Sequence, residues 1–251
     1  MNELLKTLGL RYVENGLPDL YEQARMHSLT YDAFLRRVLT MEVEARKLAT
    51  GQKRLKAAKL PTRKTLEEFD FSFQPSLDER HLWELADLSF VKTNHNVVFL
   101  GPPGVGKTHL ALSLAVKALE ADYSVLFTTL SSLAEDVTGV PHPSLRRQRL
   151  RRYLSPRVLI IDEIGYTKLS GDQSNAFFEL VRDRYEKGPI LLTSNTSFSE
   201  WGSLLNDEVL ATALLDRLLH HAEVISISGQ SFRMKDRLVT GKSKAAATKQ
   251  G

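Results

Sequence analysis

The sequence predicts an α/β protein: a five-stranded parallel sheet flanked by helices, preceded by a small all-helical domain. The first 60 residues place apolar residues at helical spacing and show no strand pattern. After them, short β-rich runs alternate with helical runs, and strands such as VLII (158–161) are apolar throughout. Alternating strands and helices build parallel sheets that are covered on both faces, and strands buried on both faces are continuously apolar.

The amino-terminal segment is expected to contain three helices. Gly16 and Pro18 are expected to separate the first helix from the second, because both residue types disfavour helix interiors. Thr30 suits the N-cap of a long third helix, which has Asp32 in its first turn. This helix is expected to reach about Leu60, just before a proline.

Strands and helices are expected to alternate in the remainder. The expected strands are Asn96–Leu100, Ser124–Thr128, Val158–Ile161, Ile190–Thr193 and Val224–Ser228. The main helices between them are expected at Thr108–Glu120, Asp172–Glu186 and Asp207–His220. The predicted domains are a helical domain (1–60), a linker (61–75), an α/β domain (76–237) and a basic, disordered tail (238–251).

Composition narrows the class of protein. The 251 residues include no cysteine, which excludes a disulfide scaffold and cysteine-based zinc sites. Neither a signal peptide nor a membrane span is expected, so we predict a cytoplasmic location. Residues 1–66 carry 13 Lys/Arg against 7 Asp/Glu, whereas the remainder carries 21 against 23. The basic amino-terminal segment therefore predicts an acidic partner.

A phosphate-binding loop is predicted at residues 101–108, GPPGVGKT, which match G-x-x-x-x-G-K-[ST] in full. A strand enters this loop and a helix leaves it, so backbone N–H groups and the helix N-terminus can hold phosphate oxygens. Lys107 is expected to reach the β- and γ-phosphates, and Thr108 to bind Mg²⁺. His109 is expected to pack rather than to catalyse. The expected nucleotide contacts are Gly101, Pro102, Pro103, Gly104, Val105, Gly106, Lys107, Thr108 and His109.

An acid pair follows the apolar strand VLII, about 50 residues after the phosphate loop. Asp162 is expected to hold Mg²⁺, and Glu163 to act as the general base on the attacking water. An exposed acidic pair at a strand end is the structural alternative. Beside a complete phosphate loop, the pair predicts an ATPase that uses Mg²⁺ as its cofactor.

Three polar residues further along the chain are candidates for the same site. Asn195 ends a buried strand and can hydrogen-bond the attacking water or the γ-phosphate, although Asn is also common in turns. Arg217 interrupts an apolar helix face, and Arg233 follows the last predicted strand. Either arginine could instead form a surface ion pair.

The chain resembles the AAA+ ATPases of the DnaA/DnaC helicase-loader clade in the order of its motifs: GPPGVGKT, VLIIDE, LLTSN, LLDRL and GQSFR. It further resembles IstB, the transposition-helper ATPases encoded beside the IstA transposase in bacterial insertion sequences. That resemblance is carried by RLKAAKLP (54–61), LEEFDF (66–71), IIDEIGY (160–166), SFSEW (197–201) and ALLDRLLHHAEVISISGQSFRMK (213–235). It covers nearly the whole chain and implies an AAA+ module with strand order 5-1-4-3-2 and almost no carboxyl-terminal lid.

The resemblance also implies roles for single residues. Asn195 matches the sensor-1 position, and Arg217 matches the arginine finger that acts on ATP bound by a neighbouring subunit. Arg233 resembles the sensor-2 arginine, which touches the γ-phosphate of its own site. The implied function is an ATP-hydrolysing transposition helper. It would form a homo-oligomer with ATP sites at subunit interfaces, assemble on DNA, and recruit or activate its cognate transposase.

Two runs of basic residues that contain no acidic residue are candidates for DNA contact. Residues 46–64 hold eight Lys/Arg and residues 146–157 hold six Arg, with no acid in either run. Such runs bind the DNA backbone by counterion release, whereas a solubilising face or an acidic protein partner is the alternative. In the DnaA/DnaC clade, the region of the second run faces the channel of the oligomer. The expected duplex-DNA contacts are Lys53, Arg54, Lys56, Lys59, Arg146, Arg147, Arg149, Arg151 and Arg152.

Two rival functions share these motifs. A replicative helicase loader of the DnaC type would have a hexameric helicase as its partner, and an adjacent transposase gene would argue against it. A non-hydrolysing, nucleotide-gated DNA-binding protein is disfavoured by the complete pair Asp162 and Glu163. His220 and His221 are expected to make a poor metal pair, since adjacent helical side chains point about 100° apart.

Overall fold

The structure, a computed structural model, describes residues 1–140 and 142–232. The chain divides into two compact units, Met1–Lys56 and Ala57–Gly251. Arg233 and the tail predicted at 238–251 lie outside the described residues. None of the described helices has the length and apolar composition needed to cross a membrane.

The first unit is helical, as predicted. It contains α1 (Asn2–Thr7), α2 (Arg11–Met26) and most of α3 (Tyr31–Ala58). The Oγ1 atom of Thr30 accepts a hydrogen bond from the backbone N–H of Ala33 (3.3 Å), which is the predicted N-cap interaction. The small core of this unit is formed by Leu5, Val13, Leu17, Leu20 and Val38.

The predicted break at Gly16 and Pro18 is wrong, because α2 runs through both residues. The chain turns instead at Gly9, whose φ is +68°. A Cβ atom on Gly16 would lie 2.9 Å from Cε of Met41, so this glycine permits close packing rather than a turn. Burial of the apolar face of α2 compensates for the backbone hydrogen bond that Pro18 removes.

A side chain of α3 caps the amino end of α2. Glu42 is buried and accepts hydrogen bonds from the backbone N–H groups of Tyr12 (2.9 Å) and Val13 (3.0 Å). Nε of Arg46 donates to the same carboxylate at 2.6 Å. Burial alone would raise the pKa of Glu42, but these bonds outweigh it and lower that pKa. Helix α2 therefore begins at Arg11 because a distant residue satisfies its first N–H groups.

The second unit is a parallel sheet with helices on both faces. Its strands are β1 (Asn96–Leu100), β2 (Val125–Thr129), β3 (Val158–Ile164), β4 (Ile190–Ser194) and β5 (Ala222–Ser226). Its helices are α4 (Glu79–Ala86), α5 (Ser89–Thr93), α6 (Lys107–Glu120), α7 (Leu130–Thr138), α8 (Pro143–Leu154), α9 (Gly171–Arg184), α10 (Trp201–Leu205) and α11 (Glu208–Leu219). Short 3₁₀ helices occupy Phe71–Phe73 and Phe198–Glu200.

The strand order is β2-β3-β4-β1-β5, which confirms the predicted order read from the opposite edge. Alternate residues of each strand enter different cores. Val98 and Leu159 pack on one face of the sheet, whereas Val97 and Phe99 pack on the other. Because every pairing is parallel, the carboxyl ends of β1, β3 and β4 meet at one edge.

Several strands and helices begin or end at residues other than those predicted. Strand β5 begins at Ala222, two residues before the predicted start, because Ala222 pairs with Asn96. Helix α11 ends at Leu219, and α9 ends at Arg184 rather than at Glu186. The residues after these helices therefore lie in turns.

Candidate active site

A cavity of about 360 Å³ opens at the carboxyl edge of the sheet. Among the described residues, its lining comes from the phosphate loop and the start of α6, from the ends of β3 and β4, and from the segments before α4 and after β5. The lining includes Thr62, Phe69, Asp70, Gln74, Gly104, Lys107, Thr108, His109, Asp162, Glu163, Thr193, Asn195 and Phe232. The structure thus gathers most of the residues predicted to bind nucleotide. A volume of this size suits a small-molecule ligand.

The phosphate loop joins β1 to α6, as the motif predicts. Gly106 has a φ of +103°, and a Cβ atom there would lie 2.6 Å from Cε2 of Phe69, so the position requires glycine. Lys107 is buried, and its Nζ atom donates to the carbonyl oxygens of Gly101 (2.6 Å) and Pro102 (2.8 Å). The ammonium group is therefore held inside the curve of the loop.

Two oxygen ligands lie together where Mg²⁺ is predicted. Oγ1 of Thr108 is 2.9 Å and 3.1 Å from the carboxylate oxygens of Asp162, which is buried at the end of β3. The hydroxyl of Thr193 also donates to that carboxylate. Hydroxyl and carboxylate oxygens are the hard ligands that Mg²⁺ prefers, so the donor set fits this ion.

A bulge in β3 turns Glu163 out of the sheet. The register with β4 shifts between Ile161 and Ile164, and Glu163 has a φ of +64°. Its backbone N–H donates to Oγ1 of Thr193 at 3.1 Å, while its side chain is exposed toward the cavity. Bulges beside active sites commonly redirect a side chain in this way. Sequence patterns did not single out Thr193, which organises both acids.

Asn195 lies beside the acid pair at the end of β4. Its backbone N–H donates to the carbonyl oxygen of Ile164 at 3.1 Å. Its Oδ1 atom is buried and has no hydrogen-bond partner among the described residues. A Cβ atom on Gly165 would lie 2.1 Å from this oxygen, so glycine is needed next to it. An unsatisfied buried acceptor at the cavity wall is free to bind a ligand or water.

The segment before α4 forms a wall that the motifs did not predict. The ring of Phe69 packs edge-on against His109, with 5.2 Å between ring centroids. Nε2 of His109 lies 2.8 Å from the carbonyl oxygen of Thr65. Burial lowers the pKa of His109, so its imidazole is neutral at pH 7 and donates this bond. His109 therefore packs, as predicted; the role of Phe69 was missed because it depends on long-range contact.

The segment after β5 is tied to the phosphate loop. The backbone N–H of Phe232 donates to the carbonyl oxygen of Gly104 at 2.9 Å. Nε2 of Gln74 donates to the carbonyl oxygen of Gln230 at 3.0 Å. This arrangement brings the chain to the loop just before Arg233, whose own position is outside the described residues.

Arg217 does not line this cavity within the described part of the chain. It lies at the amino edge of the sheet, in a depression that it shares with Asn96 and Ile190, the first residues of β1 and β4. Its guanidinium stacks over Phe178 at 5.1 Å from the ring centroid, and Nη1 donates to the carbonyl oxygen of Ala213 at 2.8 Å.

Comparison with known proteins agrees with this geometry. The family model described as IstB-like ATP binding protein matches residues 3–240. The chain belongs to this family. The IS21 insertion-sequence ATP-binding protein of Pseudomonas aeruginosa is 44% identical over 238 residues, covering 95% of this chain and 90% of the relative. The IS5376 counterpart of Geobacillus stearothermophilus is 44% identical over 237 residues, covering 94% of each.

The fold is also found in a solved structure. The crystal structure of DnaI aligns with a TM-score of 0.56 at 22% identity, covering 66% of this chain and 92% of that chain. At this identity the likeness shows the fold alone. The predicted resemblance to IstB and to the AAA+ fold of the helicase-loader clade is confirmed.

The basic residues of this IstB-like chain differ in their surroundings. On α8, Arg146 pairs with Asp172 at 2.8 Å, and Arg149 and Arg152 both pair with Asp136. Arg147 and Arg151 are exposed and make no ion pair with any described residue. The remaining predicted DNA contacts are on or just after α3: Lys53, Arg54, Lys56 and Lys59.

Proposed function

We propose that this chain is an ATP-hydrolysing transposition helper that assembles on DNA and recruits or activates the transposase of its insertion sequence. The observation that carries the proposal is the grouping of Lys107, Asp162 and Glu163 around one cavity. The names of the relatives, ATP-binding proteins of insertion sequences, support both the ligand and the genetic context. Such a protein would act in the cytoplasm, where the DNA is.

Each residue of the cavity has a role in this proposal. Lys107 and the loop N–H groups would bind the phosphates, and the hydroxyl of Thr108 and the carboxylate of Asp162 would hold Mg²⁺. The bound ion would neutralise charge on the phosphate oxygens. Glu163 takes a proton from the attacking water, and Asn195 orients that water or the γ-phosphate through its side-chain amide.

Hydrolysis is proposed to require a second copy of the chain. Arg217 is at the amino edge of the sheet, far from the cavity of its own chain. An arginine placed there can stabilise transition-state charge only in a neighbouring subunit. The homo-oligomer would therefore carry its ATP sites at subunit interfaces.

ATP binding is tested with Lys107→Ala. We expect affinity for ATP to fall by at least roughly 30-fold, since loss of a buried charge partner costs about 2 kcal/mol or more. Lys117→Ala is the matched control, because Lys117 is on the same helix and pairs with Glu67 on the surface. Equal ATP affinity in Lys107→Ala and the control, measured by calorimetry, would contradict the assignment.

DNA binding is tested on α8. We expect Arg147→Glu with Arg151→Glu to weaken duplex binding equally for unrelated sequences, and to reduce the slope of log affinity against log salt by about two. Arg149→Ala with Arg152→Ala should change the slope less, because Asp136 pairs with both arginines and already offsets one of their two positive charges. Weakened binding to one sequence only would mean that α8 contacts bases.

The role of DNA binding in transposition is tested with the transposase encoded beside this chain. We expect the two proteins to form a complex on duplex DNA when ATP is present, and Lys107→Ala to prevent it. Charge reversal at Lys53 and Lys56 separates two roles for the first unit. Loss of the complex with unchanged DNA affinity would assign these lysines to the protein partner.

A further inference from the structure

A group of metal-ligating side chains lies at the amino edge of the sheet, opposite the proposed ATP site. His220 and His221 follow α11, and Glu186 follows α9. One possible ligand atom from each of these three residues lies within 4.8 Å of the other two. No other group of three or more His, Cys, Asp or Glu residues in the described ranges has this arrangement.

The predicted separation of the two histidines is wrong because the helix ends at Leu219. The rings of His220 and His221 are stacked, with 4.2 Å between centroids and 28° between planes. Nε2 of His221 is 3.6 Å from Oε1 of Glu186. Neighbouring ligands in a tetrahedral zinc site are separated by about 3.4 Å, so small side-chain rotations suffice to bring these atoms around one ion.

Surrounding residues hold the ligands in place. The hydroxyl of Tyr185 is hydrogen-bonded to Nδ1 of His220 and fixes the orientation of that ring. The ring of His95 stacks on His221 with 5.3 Å between centroids and 5° between planes. Nδ2 of Asn94 donates to the carbonyl oxygen of Glu186 at 2.8 Å. A hydrogen bond to the second ring nitrogen, such as that from Tyr185, orients histidine ligands in natural metal sites.

The ligand types select the ion. Two neutral imidazoles and one carboxylate suit Zn²⁺ and similar transition metals, whereas Mg²⁺ and Ca²⁺ require more oxygen ligands. We propose that Glu186, His220 and His221 form a transition-metal site that binds Zn²⁺, distinct from the oxygen ligands of the phosphate loop.

The site is tested by titrating Zn²⁺ into the full-length chain, without an added histidine tag, in millimolar Mg²⁺ and without nucleotide. We expect one tight equivalent by calorimetry, and a rise in the thermal unfolding midpoint. His220→Ala with His221→Ala should lower Zn²⁺ affinity by at least about 100-fold, and Glu186→Gln by at least about 10-fold. Co²⁺ in place of Zn²⁺ should show the visible absorption of a tetrahedral ion.

Two controls make the result specific. His27→Ala with His142→Ala removes two exposed histidines elsewhere and should leave Zn²⁺ affinity unchanged. Tyr185→Phe keeps all three ligands and should reduce affinity by less than Glu186→Gln does. Circular dichroism without metal shows whether each variant is folded. The absence of stoichiometric Zn²⁺ binding to the parent chain, or equal affinity in the His220/His221 variant, would overturn the proposal.

Discussion

The two edges of the sheet carry different chemistry. The carboxyl edge brings the phosphate loop, Asp162 and Glu163 around one cavity, whereas the amino edge carries Arg184 and Arg217 beside the first residues of the strands. A five-residue strand such as β1 spans about 16 Å, so the two groups cannot meet within one chain. This fold therefore separates the proposed base, Glu163, from the proposed arginine finger, Arg217, and an oligomer would have to bring the two together.

The largest effect is expected at the amino edge, from Arg217→Ala. ATP hydrolysis in the DNA-bound oligomer should fall by about 10³-fold or more, because the transition state loses a positive charge. ATP affinity of the isolated subunit should be nearly unchanged. Phosphate release and nucleotide calorimetry measure the two quantities.

A mixing experiment decides whether Arg217 acts in trans. Arg217→Ala and Lys107→Ala are each expected to be inactive, but some interfaces of a mixed oligomer would pair an intact loop with an intact finger. ATPase activity should return at those interfaces. Arg182→Ala, which removes an arginine from the exposed surface of α9, is the control for the loss of an arginine elsewhere. If mixed oligomers form and no ATPase returns at any ratio, the two edges do not cooperate and Arg217 is structural.

At the carboxyl edge, Glu163→Gln should reduce hydrolysis by about 10²–10³-fold while ATP still binds. The amide keeps the size of the side chain but cannot accept the proton of the attacking water. Glu135→Gln, on the exposed side of α7, is the control. Normal turnover in Glu163→Gln, measured as phosphate release, would remove this residue from the role of base.

Arg184→Met is expected to affect stability rather than catalysis. Arg184 is buried and donates to the carbonyl oxygens of Tyr153, Pro156, Arg157 and Pro189, and burial lowers its pKa to about 10. Leaving these acceptors without a donor should cost about 3 kcal/mol in the free energy of unfolding. Urea denaturation measures the change in the free energy of unfolding, with Arg182→Met as the control on the surface. A change near zero would show that water forms hydrogen bonds with the carbonyl groups in place of Arg184.

The smallest effect is expected from Thr193→Val, which keeps the shape of the side chain. Loss of the hydroxyl frees Asp162 and the backbone of Glu163 from their shared partner. Hydrolysis should fall by roughly 10-fold, or about 1.4 kcal/mol, with little change in ATP affinity. Thr128→Val in β2 is the matched control, and an equal effect of the two variants would show that Thr193 has no special role.

Much of the fold could be predicted because its signals are local. The strand–loop–helix around Lys107 and the apolar strand before Asp162 are contiguous in sequence, and alternation of strands and helices indicates a parallel sheet. Element ends were less predictable. Strand β5 begins earlier than predicted because Ala222 pairs with Asn96. Helix α2 continues through Gly16 and Pro18, which usually break helices, because Gly16 allows close packing.

Taken alone, the sequence determined which phosphate-binding and acidic groups this protein possesses, because those groups occupy short motifs with fixed spacing. Only the tertiary structure decided how they meet. Thr193 joins two acids from 30 and 31 residues away, and Phe69 covers Gly106. Glu186 and the pair His220 and His221 are also distant in sequence, and only the fold brings the ends of α9 and α11 together. Contacts of this kind depend on the order of the strands and on the residues at which helices end. Both are determined by the free energy of packing over the whole core rather than by any short segment.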